Sequence, residues 1–235
     1  MRTATLITVF GIVSLAALSG CTETLDSDLI KTKGIAATVE VSADSDVSSR
    51  VHVTLQAGGD ESNTYIELQS GDALYASADG DRTGMEHVDE GEYDADFGTG
   101  LGGVEFVVDL QRADDTPAPN SRGILPEGFT LDAIEEDLSR ATDDLVVTWD
   151  GGGGGEMNIA IEGSCIFSFD EDVSDNGSYT IDAGELKAKD DDKPESCELK
   201  ATLTRTAHGT PDPAFDGESD FILRQVRSDS FDSKP

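Results

Sequence analysis

The sequence predicts an all-β protein built from two β-sandwich domains in tandem. Short stretches that alternate between apolar and polar residues recur along the chain, and a period of two is typical of strands with one face in a core and one in water. Turn-forming Gly, Asn and Asp residues separate these stretches, and 25 of the 235 residues are glycine. The pattern Asp-x-Gly-x-Tyr occurs once in each half, at 89–93 and 175–179.

The first domain is predicted over residues 34–111. One clear strand is 50–57, where Val51, Val53 and Leu55 share one face and polar residues occupy the other. Seven short strands of this length and spacing are typical of a β-sandwich. They are predicted at 35–42, 50–57, 64–68, 73–78, 84–88, 92–97 and 104–110.

The segment 112–123 is predicted to be the linker between the two domains. It contains Pro117 and Pro119 and shows no apolar periodicity, which is typical of a spacer. The second domain then covers residues 124–235.

The second domain combines strands with one short helix. Ile134 and Leu138 are four residues apart, which favours a helix over 132–142. Residues 151–155 are all glycine, but they lack the Lys-Ser/Thr pair and the following helix of a phosphate-binding loop. Strands are predicted near Phe129 and Leu131, and at 144–149, 157–162, 164–169, 178–182, 196–205 and 220–227.

The first 21 residues read MRTATLITVFGIVSLAALSGC. A single arginine precedes an apolar run that has the size of a signal-peptide core and is shorter than the roughly 20 residues that span a bilayer. The end, Leu18-Ser19-Gly20-Cys21, resembles the bacterial lipobox, in which the cysteine becomes the N-terminus and carries lipid. The resemblance implies a signal peptide at 1–20, a lipidated Cys21 and a polar tether over 21–33.

Thr22 follows the lipobox cysteine. An aspartate at this position implies retention in the inner membrane of Gram-negative bacteria, so Thr22 favours sorting to the outer membrane, facing the periplasm or the surface. Several acyl chains on Cys21 make such an anchor stable. The alternative is an ordinary signal peptide in which Cys21 occurs by chance.

Two further cysteines, Cys165 and Cys197, are predicted to form a disulfide. An export signal places them in an oxidising compartment, where paired thiols usually bond. Each cysteine lies on the apolar face of its predicted strand. They are 32 residues apart (197 − 165), and closing that loop contributes about 3–4 kcal/mol in the chain-entropy picture.

The two Asp-x-Gly-x-Tyr segments resemble the corner before strand F of immunoglobulin-like sandwiches. There the tyrosine hydroxyl bonds to upstream backbone, glycine permits the turn and aspartate caps it. The resemblance assigns these roles, in the two copies, to Asp89, Gly91, Tyr93, Asp175, Gly177 and Tyr179.

The chain departs from antibody-type domains in two ways. Ala95 and Ile181 stand where those domains carry cysteine two residues after the tyrosine. Trp149, in the sequence LVVTW, is more similar to the early-strand tryptophan of fibronectin type III modules. The alternative is that Asp-x-Gly-x-Tyr is merely a frequent turn in an acidic, glycine-rich sequence.

The charge of the chain excludes one class of partner. There are 49 acidic residues against 16 lysines and arginines, a formal charge of −33. With no basic stripe to neutralise phosphates, nucleic acid is excluded, and adsorption to anionic lipid is disfavoured. Dispersed excess acid favours solubility and produces self-repulsion that salt screens.

Catalytic and metal patterns are weak. His52, His87 and His208 have no neighbouring nucleophile, and no G-x-S-x-G motif occurs. Residues 170–177 resemble part of an EF-hand loop that starts at Asp172, but position twelve is Ala183 instead of glutamate. A structural turn is therefore favoured, and a calcium site is the alternative. Its ligands are Asp172, Ser174 and Asn176.

The sequence therefore predicts a non-enzymatic lipoprotein of the cell envelope that acts as a binding or structural module without a cofactor. Its expected partners are the membrane, through the N-terminal lipid, and an envelope protein or glycan. The alternative is a calcium-dependent adhesion module, and a hydrolase with an unrecognised site is the third hypothesis.

Overall fold

The computed structural model describes residues 23–135, 137–190, 192–193 and 195–235. The chain is all-β, as the alternation predicts, and two short 3-10 turns, Ser27–Leu29 and Thr32–Gly34, precede the first long strand. The strands of the first half are β1 (Glu23–Asp26), β2 (Ile35–Ser45), β3 (Ser48–Ala57), β4 (Thr64–Glu67), β5 (Ala73–Ala78), β6 (Asp81–Gly84), β7 (Glu86–Asp89), β8 (Glu92–Phe97), β9 (Glu105–Gln111) and β10 (Ala118–Ile124).

The second half contains fewer strands, and two of them are long. They are β11 (Leu138–Ser139), β12 (Leu145–Thr148), β13 (Glu156–Gly163), β14 (Phe169–Val173), β15 (Ser178–Ile181), β16 (Cys197–His208) and β17 (Asp220–Lys234).

One eleven-stranded sheet, the main sheet, runs through both halves in the order β1-β4-β3-β2-β17-β16-β13-β14, and β7, β8 and β11 join it as side pairs. A second sheet has the order β10-β9-β5-β6, and a small sheet consists of β12 and β15. The second sheet covers one part of the main sheet and the small sheet covers another. Two β-sandwiches result, and the prediction of this architecture is confirmed.

Each sandwich has its own apolar core. The first core joins inward residues of β2, β3, β5 and β9, and Val51, Val53 and Leu55 are buried in it as their alternation predicts. The second core joins residues of β12, β13, β15 and β16, including Trp149 and Ile159. Burial of these alternating side chains is the main stabilising contribution to such a sheet pair.

The strand β17 belongs to both sandwiches. Its first residues pair in parallel with β2, from Asp220↔Thr38 to Gln225↔Ala43, and β16 pairs with it along nearly its whole length. Phe221 of this strand packs in the first core, whereas Phe231 packs in the second. The two sandwiches are therefore joined by a continuous sheet, a closer connection than a tandem pair with a linker.

The linker prediction at 112–123 is wrong from position 118 onward, because Ala118–Ile124 form β10. This strand is at the edge of the second sheet, and its pairing with β9 shifts register between Ala118 and Ser121. Pro119 lies in that bulge, and an edge strand with a bulge tolerates a residue that lacks an N–H. The chain passes between the cores at 126–128, since Leu125 lies in the first core and Phe129 in the second.

The tether prediction is wrong for the described part of 21–33. Residues 23–26 form β1, which pairs in parallel with β4, and Ser27 and Thr32 are fully buried. Cys21 and the signal peptide lie outside the described residues. Within the part of the chain that is described, no helix has the length and apolar character to cross a membrane.

Two predictions in the second half are also wrong. The described residues between 132 and 142 form no helix beyond one hydrogen-bonded turn, in which the Asp143 amide donates to Ser139 O at 2.9 Å; Leu138 begins β11 and pairs with Ser233 of β17. Ile134 and Leu138 do enter the second core. The strand predicted at 164–169 is displaced, because β14 begins at Phe169 and Phe167 is exposed.

Candidate functional site

The molecule has two ends that are defined by β17. One end, which we call the base, consists of the loop 58–63, the turn 216–219 and Glu23. These meet beside the start of β17, since the Asp216 amide donates to Ile35 O at 2.8 Å and Ile35 pairs with Ala57. The distal end contains the disulfide, where Cys197 pairs with Ser233. The 15 residues of β17 separate the two ends by about 46 Å at roughly 3.3 Å per residue.

The N-terminal segment is fixed to the base by hydrogen bonds. The Glu23 amide donates to Asn63 O at 3.0 Å, and the four residues of β1 pair with Thr64–Glu67. The N-terminal segment is therefore held to the first sandwich from Glu23 onward.

A buried ion pair holds the same segment from the other side. Arg112 Nε lies 2.8 Å from Asp72 Oδ2, and the two side chains are only 2 % and 4 % exposed. Arg112 Nη2 also donates to the carbonyl oxygens of Ser27 and Ile30, at 2.6 and 3.0 Å. Arg112 therefore holds the N-terminal segment against the first sandwich. Because it follows β9 directly, the sequence pattern does not distinguish it from a linker residue.

Thr32 adds a further contact in this region. Its amide donates to Asp115 Oδ2 at 2.8 Å, and its hydroxyl donates to Thr116 O at 2.6 Å. The hydrogen bonds from the Thr32 and Thr116 amides lower the pKa of Asp115 to about 2. The carboxylate of Asp115 is therefore ionised at neutral pH and retains these bonds.

The first Asp-x-Gly-x-Tyr segment works as a tyrosine corner. The Tyr93 hydroxyl donates to Ile66 O at 3.3 Å and accepts from the Leu68 amide at 2.9 Å, so it holds backbone upstream as predicted. Burial raises the pKa of Tyr93 to about 12. Gly91 has φ +65°, and a Cβ there would lie 2.8 Å from Leu55 O, which explains why glycine is required.

The second segment works differently. Among the hydrogen bonds of the described residues, none involves the Tyr179 hydroxyl, so the corner role predicted for Tyr179 is wrong. Asp175 instead accepts from Arg205 Nη2 at 2.8 Å and from Trp149 Nε1 at 2.9 Å. Burial acts to raise the pKa of Asp175, but the bonds from Arg205 and Trp149 outweigh it and the pKa lies below its ordinary value.

Arg205 is the buried cation that pairs with Asp175. The sequence analysis did not identify it as a functional or structural residue. Its side chain is 1 % exposed, and Nη1 donates to Glu127 O at 2.7 Å. Nη2 donates to Asp150 O at 2.8 Å, whereas Nε has no partner among the described residues. The signal that was available is the alternation of β16, which places Arg205 on the same inward face as Leu203.

Three of the five glycines at 151–155 lie close to this ion pair or to the turn that carries Asp175, whereas Gly152 and Gly154 have open space around them. A Cβ at Gly153 would overlap Nη1 of Arg205, and a Cβ at Gly151 would lie 2.5 Å from the Gly177 nitrogen. The Gly153 amide donates to the second carboxylate oxygen of Asp175 at 3.0 Å. Glycine is therefore needed at 151 for close approach to the 175–177 turn and at 153 for close approach to Arg205.

The segment 126–128 between the cores is held by buried side chains of the main sheet. Gln225 is fully buried, and its amide nitrogen donates to Gly100 O at 2.8 Å and to Pro126 O at 3.3 Å. Together with the Arg205 bond to Glu127 O, these contacts fix the crossing of the chain. The two halves therefore form one connected body.

The disulfide Cys165–Cys197 is present, with the Cα atoms 6.0 Å apart, and this prediction is confirmed. Both cysteines pack beside the second core. The Lys189 amide donates to Cys165 O at 3.0 Å, and its Nζ donates to Gly163 O at 3.0 Å. Phe167, 59 % exposed, lies next to this loop and is the large apolar side chain that the distal end presents to solvent.

The histidines lie beside carboxylates. His52 Nδ1 lies 2.7 Å from Asp94 Oδ1 and Nε2 lies 3.3 Å from Thr54 Oγ1, an order that resembles a hydrolase triad. The group lies on the outer face of β3, which pairs there with both β2 and β8. His52, Thr54 and Asp94 thus all lie in paired strands of the main sheet. The other two pairs are His87–Glu67 at 2.9 Å and His208–Asp220 at 3.7 Å.

The residues predicted to bind calcium have other partners. Asp172 lies in β14 and accepts from the Asn158 amide at 3.0 Å. The side chain of Asn176 accepts from the Ser178 amide at 3.2 Å, and its own amide donates to Ser174 O at 2.8 Å. Within the described ranges, no group of three or more His, Cys, Asp and Glu residues is placed to hold a metal ion. Calcium binding stays a prediction.

Comparison with known proteins gives distant likeness only. No known protein family matches this sequence, and no curated protein matches it. The structure is similar to the Yersinia pseudotuberculosis adhesin InvE, with a TM-score of 0.24 and 12 % identity over 84 % of this chain and 59 % of that one. The Escherichia coli adhesin FdeC gives a TM-score of 0.25 and 15 % identity over 80 % and 63 %.

A third similar structure is the E. coli alpha-2-macroglobulin, with a TM-score of 0.21 and 8 % identity over 83 % of this chain and 14 % of that one. This chain thus spans less than two thirds of the length of each of these proteins. The fold described above is assigned from strand pairing and the two cores, independently of these likenesses.

Proposed function

We propose that this chain is a non-enzymatic binding or structural module of the bacterial cell envelope, held to the outer membrane by lipid on Cys21. The observation that carries the proposal is the course of β17, which begins beside the N-terminal segment and ends beside the disulfide. A lipid at Cys21 then lies at the base, and the distal end is presented about 46 Å away.

The character of the surface supports a binding role over catalysis. The His52–Asp94 pair lies on an open sheet face, and the buried ion pairs Arg112–Asp72 and Arg205–Asp175 hold backbone in place. At the distal end the disulfide joins Cys165 to Cys197, and Phe167 beside it is exposed. Loops carried on a sandwich scaffold are suited to contact an envelope protein or a glycan.

The anchor is tested by cell fractionation of the wild type and of Cys21→Ser. We expect the wild type in the outer-membrane fraction with an acylated N-terminal peptide, and Cys21→Ser without acylation and outside that fraction. Thr22→Asp serves as the matched control, because it retains the lipidated cysteine and changes only the sorting position. Outer-membrane localisation of Cys21→Ser equal to the wild type, in the absence of an acylated N-terminal peptide, contradicts the lipid anchor.

The binding role is tested by photocrosslinking in living cells. A photoreactive amino acid replaces Phe167 at the distal end or His52 on the outer sheet face, and the products are identified by mass spectrometry. We expect one dominant envelope protein or glycan conjugate from position 167 and background only from position 52. The same products from both positions contradict presentation by the distal end.

A further inference from the structure

We infer that the base of the first sandwich lies directly against the lipid headgroups, and that the body is held there without a spacer. The inference rests on the proposed lipid at Cys21. Its structural basis is that only Thr22 separates Cys21 from Glu23, the first residue of β1.

Because β1 is paired with β4 along its length, the chain from Glu23 onward cannot extend as a flexible spacer. The Glu23 amide donates to Asn63 O at 3.0 Å, and all four residues of β1 pair with β4. The following turn is buried at Ser27 and is clamped by Arg112. Release of the segment as a longer tether requires breaking these contacts together, including a desolvated Arg112–Asp72 pair.

Covalent geometry limits the distance between lipid and protein. Two Cα–Cα steps of about 3.8 Å join Cys21 to Glu23, so their Cα atoms are at most about 7.6 Å apart. Each polar headgroup layer is roughly 5–7 Å thick, as the difference between the whole bilayer and its hydrocarbon core indicates. Acyl chains in the hydrocarbon therefore place Glu23 at the outer limit of the headgroups.

The charges at this end of the molecule determine which lipid headgroups it can lie against. Glu23, Asp60, Glu61 and Glu218 are exposed there, and Lys33, which donates to Phe215 O at 2.9 Å, is a cation beside the turn 216–219. These carboxylates lie within about one Debye length, roughly 8 Å at physiological salt, of the lipid phosphates. Anionic headgroups repel them and zwitterionic headgroups do not, so the base fits a zwitterionic surface.

The experiment uses the mature lipidated protein in vesicles that contain a small fraction of lipid labelled on its headgroup with an energy-transfer acceptor. A fluorescent amino acid replaces either Glu61 at the base or Asp232 near the end of β17, which are both exposed acids. We expect strong transfer from position 61 and several-fold weaker transfer from position 232, in vesicles of zwitterionic lipid.

A spacer variant gives the control. Twelve Gly and Ser residues inserted between Thr22 and Glu23 allow a root-mean-square separation of about 19 Å, so transfer from position 61 should fall several-fold while vesicle binding is kept. Vesicle binding by Cys21→Ser equal to the wild type overturns the proposed anchor. Lipid-dependent binding with equal transfer from positions 61 and 232, or transfer that the spacer leaves unchanged, overturns the inference of contact alone.

The lipid preference is tested in the same assay. Replacing half of the zwitterionic lipid with anionic lipid should lower transfer from position 61 in dilute buffer and restore it when salt is added. Transfer that rises with anionic lipid contradicts the assignment of a zwitterionic surface.

Discussion

The two Asp-x-Gly-x-Tyr segments share a turn and differ in which side chain holds the structure. At 89–93 the tyrosine is buried and bonds to two backbone groups of residues 66–68, whereas Asp89 is exposed. At 175–179 the aspartate side chain is only 8 % exposed and bonds to Arg205 and Trp149. The glycine has positive φ in both, +65° and +96°.

The difference shows what a short pattern specifies. Glycine fixes the turn, because few other residues adopt a positive φ at low cost. The role of the flanking polar residues depends on what the rest of the chain places beside them. Upstream backbone approaches Tyr93, whereas Arg205, 30 residues after Asp175, approaches the other turn.

The largest expected change in stability is the difference between replacing Asp175 and replacing Asp89. Asp175→Ala leaves the buried guanidinium of Arg205 without its counter-charge, which should lower the free energy of unfolding by about 3–5 kcal/mol. Asp89→Ala is an exposed substitution and should change it by less than about 0.5 kcal/mol. Urea unfolding of the mature chain measures both, and equal effects contradict the comparison.

The same contrast has a pH dependence. The pKa of Asp175 is lowered in the folded state. Its contribution to the free energy of unfolding is therefore complete above the pKa of the unfolded state, about 3.9, and is lost as pH falls through the pKa of the folded state. The stability difference between the wild type and Asp175→Asn should therefore narrow below about pH 4. A difference that is constant down to pH 2 indicates that Asp175 is not the titrating group.

The disulfide is the next test, since it is confined to the second half. The double variant Cys165→Ala, Cys197→Ala should lose about 3–4 kcal/mol by the entropy of a loop of this length. The loss should appear as a lower midpoint in urea, with dithiothreitol treatment of the wild type as the matched control. A stable double variant with an unchanged midpoint contradicts the role assigned to the bond.

The glycine run gives an intermediate effect. Gly153→Ala places a methyl group against Arg205 and should cost about 1–3 kcal/mol, as for overpacking of a buried site. Gly217→Ala is the matched control, because nothing lies within 4 Å of a Cβ there. Thermal unfolding compares the two variants, and an equal melting temperature shows that the loop does not pack on Arg205.

The tyrosines give a smaller contrast. Tyr93→Phe removes the acceptor of the Leu68 amide and should destabilise by about 1–2 kcal/mol, as for a lost hydrogen bond that leaves a buried donor. Tyr179→Phe should have almost no effect, because its hydroxyl has no hydrogen bond to lose among the described residues. Chemical denaturation of both variants decides the comparison, and a larger loss for Tyr179→Phe reverses it.

Salt should have the smallest and least local effect. Because the chain carries a charge of −33, salt that screens self-repulsion should raise the melting temperature. Millimolar calcium chloride should do no more than sodium chloride of equal ionic strength, if Asp172, Ser174 and Asn176 hold no ion. A specific rise with calcium, lost in Asp172→Asn, supports the adhesion-module alternative.

Much of the fold was predictable because sandwich strands bury one face. Val51, Val53 and Leu55 alternate with polar residues, and all three are buried. The strand β10 was not predictable in this way, because Pro119 and its polar neighbours form a bulged edge that has little apolar alternation. Its position depends on the pairing with β9, which is a tertiary contact.

The buried ion pairs were only partly predictable. The alternation of 196–205 places Arg205 inward, and a charge on an apolar face indicates a buried partner. The identity of that partner, Asp175, depends on how β15 and the 175–177 turn pack on β16. Arg112 carried no such signal, because its partners on the N-terminal segment and Asp72 are assembled by the fold alone.

The most direct test of the account is differential scanning calorimetry of the mature protein beside Asp175→Ala. If β17 joins both cores into one body, the wild type should unfold in a single transition whose calorimetric and van't Hoff enthalpies agree. Asp175→Ala should move that whole transition to lower temperature. Two transitions, of which Asp175→Ala moves only one, would contradict the account and show two independent domains.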